Sequence, residues 1–80
     1  MHKYRIYYLA DHDDGDPTTY ESSIPVSPGD VIQLPETGDF HQAIRLLQQK
    51  TGTRLDLSKS AQSEAEARLL SVQYGFWPAG

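Results

Sequence analysis

Apolar and polar positions alternate at the start of the chain, as they do in a β-strand. In the segment KYRIYYLA, residues 3–10, the side chains of Tyr4, Ile6 and Tyr8 fall on one face and the charged ones on the other. Aromatic and β-branched residues favour strands, and the acidic, glycine-containing segment that follows is typical of a turn. This pattern predicts a first strand.

Two shorter strands are predicted next. The segment TTYESSIPV alternates and suits an antiparallel partner of the first strand, with Pro25 marking an edge or a bulge near its end. In SPGD, Gly29 suits the type II turn position that requires a positive φ. The segment DVIQL then predicts a short third strand, which ends at Pro35.

The hydrophobic period changes in residues 39–52. Apolar residues recur there at helical spacing, at Phe40, Ala43, Ile44 and Leu47. Asp39 suits a helix N-cap and Gly52 a left-handed stop, so the pattern predicts a helix. A competing assignment makes residues 40–48 and 53–58 a hairpin around KTG, which would give a small SH3-like barrel.

A strand and a helix complete the prediction. TRLDLS alternates, with Leu55 and Leu57 inward. Ser63 and Glu66 have the spacing of a capping box, and Gly75 suits the end of the helix that they would open. The apolar face of this helix consists of Ala65, Leu69, Val72 and Phe76, flanked by Ala67 and Leu70.

The predicted order is therefore β-β-β-α-β-α, an α+β fold. It has a small, mainly antiparallel sheet with two amphipathic helices on one face. The alternative is the SH3-like small β-barrel with one C-terminal helix.

Length and composition limit the possibilities further. Eighty residues make a single domain, 1–80, that buries roughly 60% of its unfolded surface. Cysteine is absent, which excludes disulfides and thiolate metal sites and agrees with a cytoplasmic location. We see no signal peptide and no apolar run of the roughly 20 residues that span a bilayer. No cofactor is predicted.

Charge is unevenly distributed along the chain. The net charge is −4, and residues 11–39 contain eight acids and neither Lys nor Arg. Such segregation can produce a surface of one sign that attracts a cationic partner. The acids of this predicted acidic face are Asp11, Asp13, Asp14, Asp16, Glu21, Asp30, Glu36 and Asp39.

The dense carboxylates of DHDDGD suggest a calcium loop, but neither register of an EF-hand fits. With Gly15 at position 6, positions 1 and 3 are Ala10 and His12, which are not acids. We therefore predict a hydrated turn and no metal site. The histidines lack metal-ligand spacing, and a catalytic role for His41 would need an oriented acid, for which Asp39 is nearest in sequence. The chain also lacks a nucleophile motif, so we predict no enzyme.

Two further surfaces are candidates for binding. Four bases around the middle of the chain could contact the phosphates of a nucleic acid, although the sequence pI of about 5.1 argues against a dedicated binder. These bases are Arg45, Lys50, Arg54 and Lys59. The aromatic tail either packs on the fold or anchors a partner, and it consists of Tyr74, Phe76 and Trp77. Tyrosines on both faces of the first strand would suit a homodimer or a helix layer.

The sequence thus favours a small non-catalytic interaction module, bacterial or phage-like in style, whose acidic face docks on a basic protein. One version is an inhibitor or accessory protein that presents carboxylates where nucleic-acid phosphates would sit. The alternative function is nucleic-acid binding through the bases of residues 45–59.

Overall fold

The computed structural model describes residues 1–10 and 12–77, and within them it has five strands and one helix. The elements are β1 (His2–Tyr8), β2 (Thr19–Ser22), β3 (Val31–Gln33), β4 (Phe40–Gln49), β5 (Gly52–Leu57) and α1 (Glu64–Gln73).

The strands form one mixed sheet in the order β2-β1-β5-β4-β3, curled into a half-barrel. Strands β1 and β5 are parallel, and the other neighbours are antiparallel. The expectation of an α+β fold with a mainly antiparallel sheet therefore holds at this level.

The helix predicted for residues 39–52 does not form. Strands β4 and β5 instead make an antiparallel hairpin that turns at Lys50 and Thr51, as in the competing assignment. The predicted order of elements is wrong for the same reason, because five strands precede the one described helix.

A β-bulge in β4 explains the misleading period. Ala43 pairs with Leu57 and Arg45 pairs with Asp56, so Ile44 is an extra residue on the β4 side. A bulge shifts the alternation of side chains by one position. The apolar residues of β4 therefore recur at a spacing that imitates a helix, although they belong to both faces of a strand.

The hydrophobic core lies inside the half-barrel. It is formed by buried side chains from β1, β3, β4, β5 and their connections, namely Tyr4, Val26, Ile32, Leu34, Ala43, Leu55 and Leu57. The Tyr4 hydroxyl accepts a hydrogen bond from the Val26 amide at 2.9 Å, which ties the β2–β3 connection to the core. That connection ends in the predicted SPGD turn, where Gly29 has a φ of 96°.

Helix α1 begins and ends where the sequence predicts. The Ser63 hydroxyl accepts from the Glu66 amide, and Gly75 has a φ of 77° just after the helix. The predicted packing face is wrong. Ala67 and Ser71 are buried, whereas Leu69 is 55% exposed, because small side chains let the helix approach β3 and β4 closely. No helix in the described part of the chain is long and apolar enough to cross a membrane.

The topology brings three connections to one end of the half-barrel. Because β1 and β5 are parallel and β4 runs the other way, the ends of β1 and β5 lie beside the start of β4. The β3–β4 turn is at this end too, since β3 is antiparallel to β4. Residues 9–10, 12–18, 34–39 and 58–60 therefore meet there.

Candidate functional site

A cavity of about 190 Å³ opens among these three connections. Its wall combines aromatic rings, carboxylates, hydroxyls and a little apolar surface. The lining residues on which the site depends are Tyr8, His12, Asp13, Asp16, Asp39 and His41. A second cavity, of about 210 Å³, adjoins it and shares the Tyr8, His12 and Asp16 side chains.

Tyr8, the last residue of β1, forms the centre of the site. Its hydroxyl donates to the Pro17 carbonyl at 2.6 Å, which fixes the end of the acidic loop against the sheet. Burial, together with the negative charges of Asp16, Glu36 and Asp39, raises the pKa of the Tyr8 phenol to about 12. The carboxylates contribute to this rise because an anionic phenolate is unfavourable beside them.

His41 lies on the inner face of β4, opposite Ile32 of β3, and only 4% of its surface is exposed. Its Nδ1 atom is 2.9 Å from the Ser58 carbonyl oxygen. Because a carbonyl only accepts hydrogen bonds, Nδ1 carries the proton and donates it. In the neutral form of the ring the lone pair is therefore on Nε2, which makes no hydrogen bond with any residue that the structure describes.

His12 also lies beside Tyr8. The His12 and Tyr8 rings are stacked with centroids 4.6 Å apart, and the His41 and Tyr8 centroids are 5.6 Å apart. Two histidines that are 29 positions apart in sequence are thus brought to one tyrosine. The sequence alone did not predict this grouping.

Short turns hold the carboxylates in place. The Asp13 amide donates to Asp16 Oδ2 at 2.9 Å, and the Asp16 amide donates to the Asp13 carbonyl at 3.0 Å. At the β3–β4 turn, the Leu34 amide donates to the Asp39 carbonyl at 3.0 Å, with Gly38 at a φ of 75°. These bonds use backbone atoms and one Asp16 oxygen, so most of the carboxylate oxygens remain available.

We use the name acidic end for five carboxylates that line the two cavities or raise the pKa of Tyr8. Among the described residues, none of them forms an ion pair with Lys, Arg or His. They are Asp13, Asp14, Asp16, Glu36 and Asp39.

The remaining acids of the predicted face lie elsewhere or fall outside the described residues. Glu21 pairs with Lys3 at 3.6 Å, and Asp30 accepts from the Ser27 amide in the SPGD turn. Asp11 lies outside the described residues. The structure therefore gathers five of the eight predicted acids at one end of the half-barrel.

The structure does not bring the four bases of the alternative patch together. Arg45 and Arg54 flank Asp56 on the outer face of the sheet, at 2.6 and 2.8 Å. Lys50 is in the β4–β5 turn, whereas Lys59 follows the opposite end of β5, about 20 Å away along a six-residue strand. Lys59 lies instead above the Tyr74 ring, 5.6 Å from its centroid.

Asp56 neutralises much of the charge of its two arginines. Burial raises its pKa, but hydrogen bonds from Arg54 and Arg45 outweigh burial and lower the pKa below its ordinary value. Arg54 also covers the exposed Tyr7 ring, with 4.4 Å between its guanidinium carbon and the ring centroid. An arginine therefore covers this tyrosine on the outer face of β1, where the sequence suggested a helix layer or a dimer contact.

The aromatic tail folds back beside the helix. The Phe76 and Trp77 amides both donate to the Ser71 carbonyl, at 2.8 and 3.0 Å. The Trp77 ring packs on Gly29, where an added Cβ would be 3.3 Å from it. Tyr74 remains 50% exposed. The tail thus packs in part on the fold and in part remains accessible.

The carboxylates of the site supply hydrogen-bond acceptors, and the hydroxyl groups that line the cavity can both donate and accept. No group of three or more His, Asp or Glu within the described ranges could hold a metal ion. The His41 Nδ1 donates to a carbonyl and not to Asp39, so the oriented acid that a catalytic histidine needs is missing from the described contacts.

Neither a protein-family model, nor a curated protein, nor a solved structure matches this chain.

Proposed function

We propose that this domain is a non-catalytic interaction module that docks on a basic protein through its acidic end. The observation that carries the proposal is the gathering of Asp13, Asp14, Asp16, Glu36 and Asp39 around Tyr8, without a described cationic side chain among them.

The placement of the basic residues also supports this function. Arg45 and Arg54 share Asp56 on the outer face of the sheet, and Arg68 pairs with Glu64 on the helix at 3.1 Å. Exposed carboxylates that the fold leaves unpaired would attract a positive surface and accelerate association. The nucleic-acid alternative has less support, because two of its four bases bind a carboxylate of the same chain.

A matched pair of triple variants tests the proposal. The first is Asp13→Asn, Asp14→Asn and Glu36→Gln, at exposed positions of the acidic end. The second is Asp30→Asn, Glu64→Gln and Glu66→Gln, away from it, on the side of the molecule where Asp30 and Glu64 line one cavity. Each triple removes three negative charges from a net −4, which leaves −1, so the two differ in the location of the lost charge and not in its amount.

The probe is a fluorescein-labelled synthetic peptide with four lysines separated by glycines, measured by anisotropy at several salt concentrations. We expect the first triple to raise the Kd about tenfold and the second by less than about twofold, with added salt weakening wild-type binding. Equal weakening by both triples would show that binding follows net charge and not the acidic end, which would refute the proposal. Absence of binding to the wild type would refute it as well.

A further inference from the structure

We infer that the cavity beside Tyr8 receives the primary ammonium group of a lysine side chain from the partner, with Nε2 of His41 as one of its acceptors. This inference rests on the proposed function and names the group that the acidic end recognises.

The first step is the free acceptor on His41. Among the described residues, Gln42 Oε1 is the one fully buried side-chain oxygen or nitrogen without a hydrogen-bond partner. His41 Nε2 has no described partner either. Because it is not a second fully buried atom of this kind, it retains some accessible surface, and we assign that surface to the cavity that His41 lines. A side chain that is 4% exposed therefore presents an unused lone pair to the cavity.

The second step is the sign and number of the other acceptors. Asp39 and Asp16, both half-buried, line the same cavity, so a group placed there meets negative charge and an imidazole lone pair together. An ammonium group has three N–H donors and no acceptor, and it therefore suits several acceptors that converge on one point. A guanidinium would instead favour one carboxylate in a planar, bidentate arrangement.

The third step is the space for the aliphatic part of lysine. Ala10 and Leu34 contribute apolar surface to the wall, against which a methylene chain can lie while its ammonium reaches the acceptors. The Tyr8 hydroxyl donates to the Pro17 carbonyl, so it does not compete with the ammonium for the other acceptors of the cavity. The cavity is also large enough, at about 190 Å³, for a single such side chain.

The probe for this inference is Nα-acetyl-lysine N-methylamide, titrated into the wild-type protein while the imidazole nitrogens of His41 and His12 are followed by NMR. We expect a saturable shift of the His41 Nε2 signal. Three comparison probes define what is recognised: the same compound acetylated on Nε, Nα-acetyl-arginine N-methylamide, and n-butylamine.

The acetylated probe should give no shift, because it lacks the charge and two of the donors. The arginine probe should bind more weakly than the lysine probe. Butylamine should bind more weakly as well, since it lacks the peptide atoms of a lysine residue in a protein. A shift of equal size with the acetylated probe, or no saturable shift with the lysine probe, would overturn the inference. Butylamine binding as tight as that of the lysine probe would indicate a site for free amines and would overturn the assignment to a protein side chain.

Two variants separate the histidine from the carboxylates. His41→Asn keeps an amide donor near the position of Nδ1 but removes Nε2, and we expect it to raise the Kd of the lysine probe about tenfold. Asp39→Asn leaves His41 unchanged and should also weaken binding. If His41→Asn does not fold, the wild-type titration and Asp39→Asn still decide the question.

Failure of this inference is distinguishable from failure of the proposed function. If the four-lysine peptide depends on the acidic end but the single-lysine probe does not reach His41, the docking function stands and the ammonium pocket is wrong. If the peptide shows no dependence on the acidic end, the proposed function itself fails.

Discussion

At the scale of single residues, the least expected feature is the burial of two polar side chains, His41 inside the half-barrel and Asp56 on the outer face of the sheet. His41 is buried and hydrogen-bonded to a main-chain carbonyl, and Asp56 is covered completely by two arginines. Polar groups in such positions contribute to stability only while their partners remain in place. They also make stability depend on pH.

Tyr8 provides the first of these dependences. Its pKa is raised to about 12 in the folded protein, against about 10 in the unfolded chain. The folded state therefore holds the phenol proton more tightly, so this stabilisation is complete below pH 10 and is lost as the pH rises towards 12. We expect the free energy of unfolding to fall by on the order of 1–2 kcal/mol over this interval, since partial hydration of the ring reduces the full effect.

Tyr8→Phe should remove this part of the alkaline dependence. Denaturant unfolding between pH 9 and 11.5 would compare the two proteins, and the absorbance of ionised tyrosine would identify the group with the high pKa. Identical alkaline profiles for the wild type and the variant would contradict the assignment to Tyr8.

Asp56 makes the stability of the fold depend on pH in the opposite direction, with a loss of stability in acid. Asp56→Asn leaves Arg54 and Arg45 without their carboxylate, and we expect it to lower the free energy of unfolding by about 1–3 kcal/mol at pH 7. Because the folded-state pKa of Asp56 is lowered, its contribution is present above its ordinary pKa of about 4 and is lost as the pH falls below that value.

The difference in stability between the wild type and Asp56→Asn should therefore shrink in acid, as measured by urea unfolding at pH 7 and pH 3. Arg45→Gln is the matched control. It should cost less than Asp56→Asn, since Arg54 still pairs with the carboxylate. A difference that stays constant from pH 7 to pH 3 would refute the ion-pair explanation.

At the scale of elements, local signals were reliable where one residue determines the geometry. The Ser63 cap, Gly75 and the glycine turn at Gly29 all lie where the sequence predicts them. The prediction failed where contacts between distant parts of the chain determine the local structure. The bulge at Ile44 gave a strand the spacing of apolar residues that is typical of a helix. Helix α1 packs on the sheet through the small side chains of Ala67 and Ser71, which allow a closer approach than its larger apolar side chains would.

The cap of α1 can be tested directly. Ser63→Ala removes the acceptor for the Glu66 amide, which is 3.1 Å from the serine hydroxyl, and should lower the free energy of unfolding by about 1 kcal/mol. Ser63→Asp should preserve stability, because aspartate caps helices equally well. Urea unfolding followed by circular dichroism measures both. Equal losses in the two variants would show that the hydroxyl does not act as a cap.

At the scale of the whole molecule, the sequence predicted a cluster of acidic residues but not the Tyr8 and His41 side chains near which they lie. The turn nature of DHDDGD was predictable from its composition, and the structure shows the turn bonds between Asp13 and Asp16. The burial of His41 was not predictable, because it depends on the pairing of β4 with β3 and on the Ser58 carbonyl. The site arises from three connections that only the sheet topology brings together.

The position of β5 has a consequence for how the molecule assembles during synthesis. It is the last of the described strands along the chain, yet it lies in the middle of the sheet, between the β1–β2 and β3–β4 pairs. Until residues 52–57 leave the ribosome, those two pairs have no common neighbour, and each is too small to be stable alone. The parallel contact of β1 with β5 closes a loop of more than forty residues, a non-local step of the kind that slows folding. We therefore expect the cavity and the clustering of carboxylates to form late in folding, once β5 pairs with both β1 and β4.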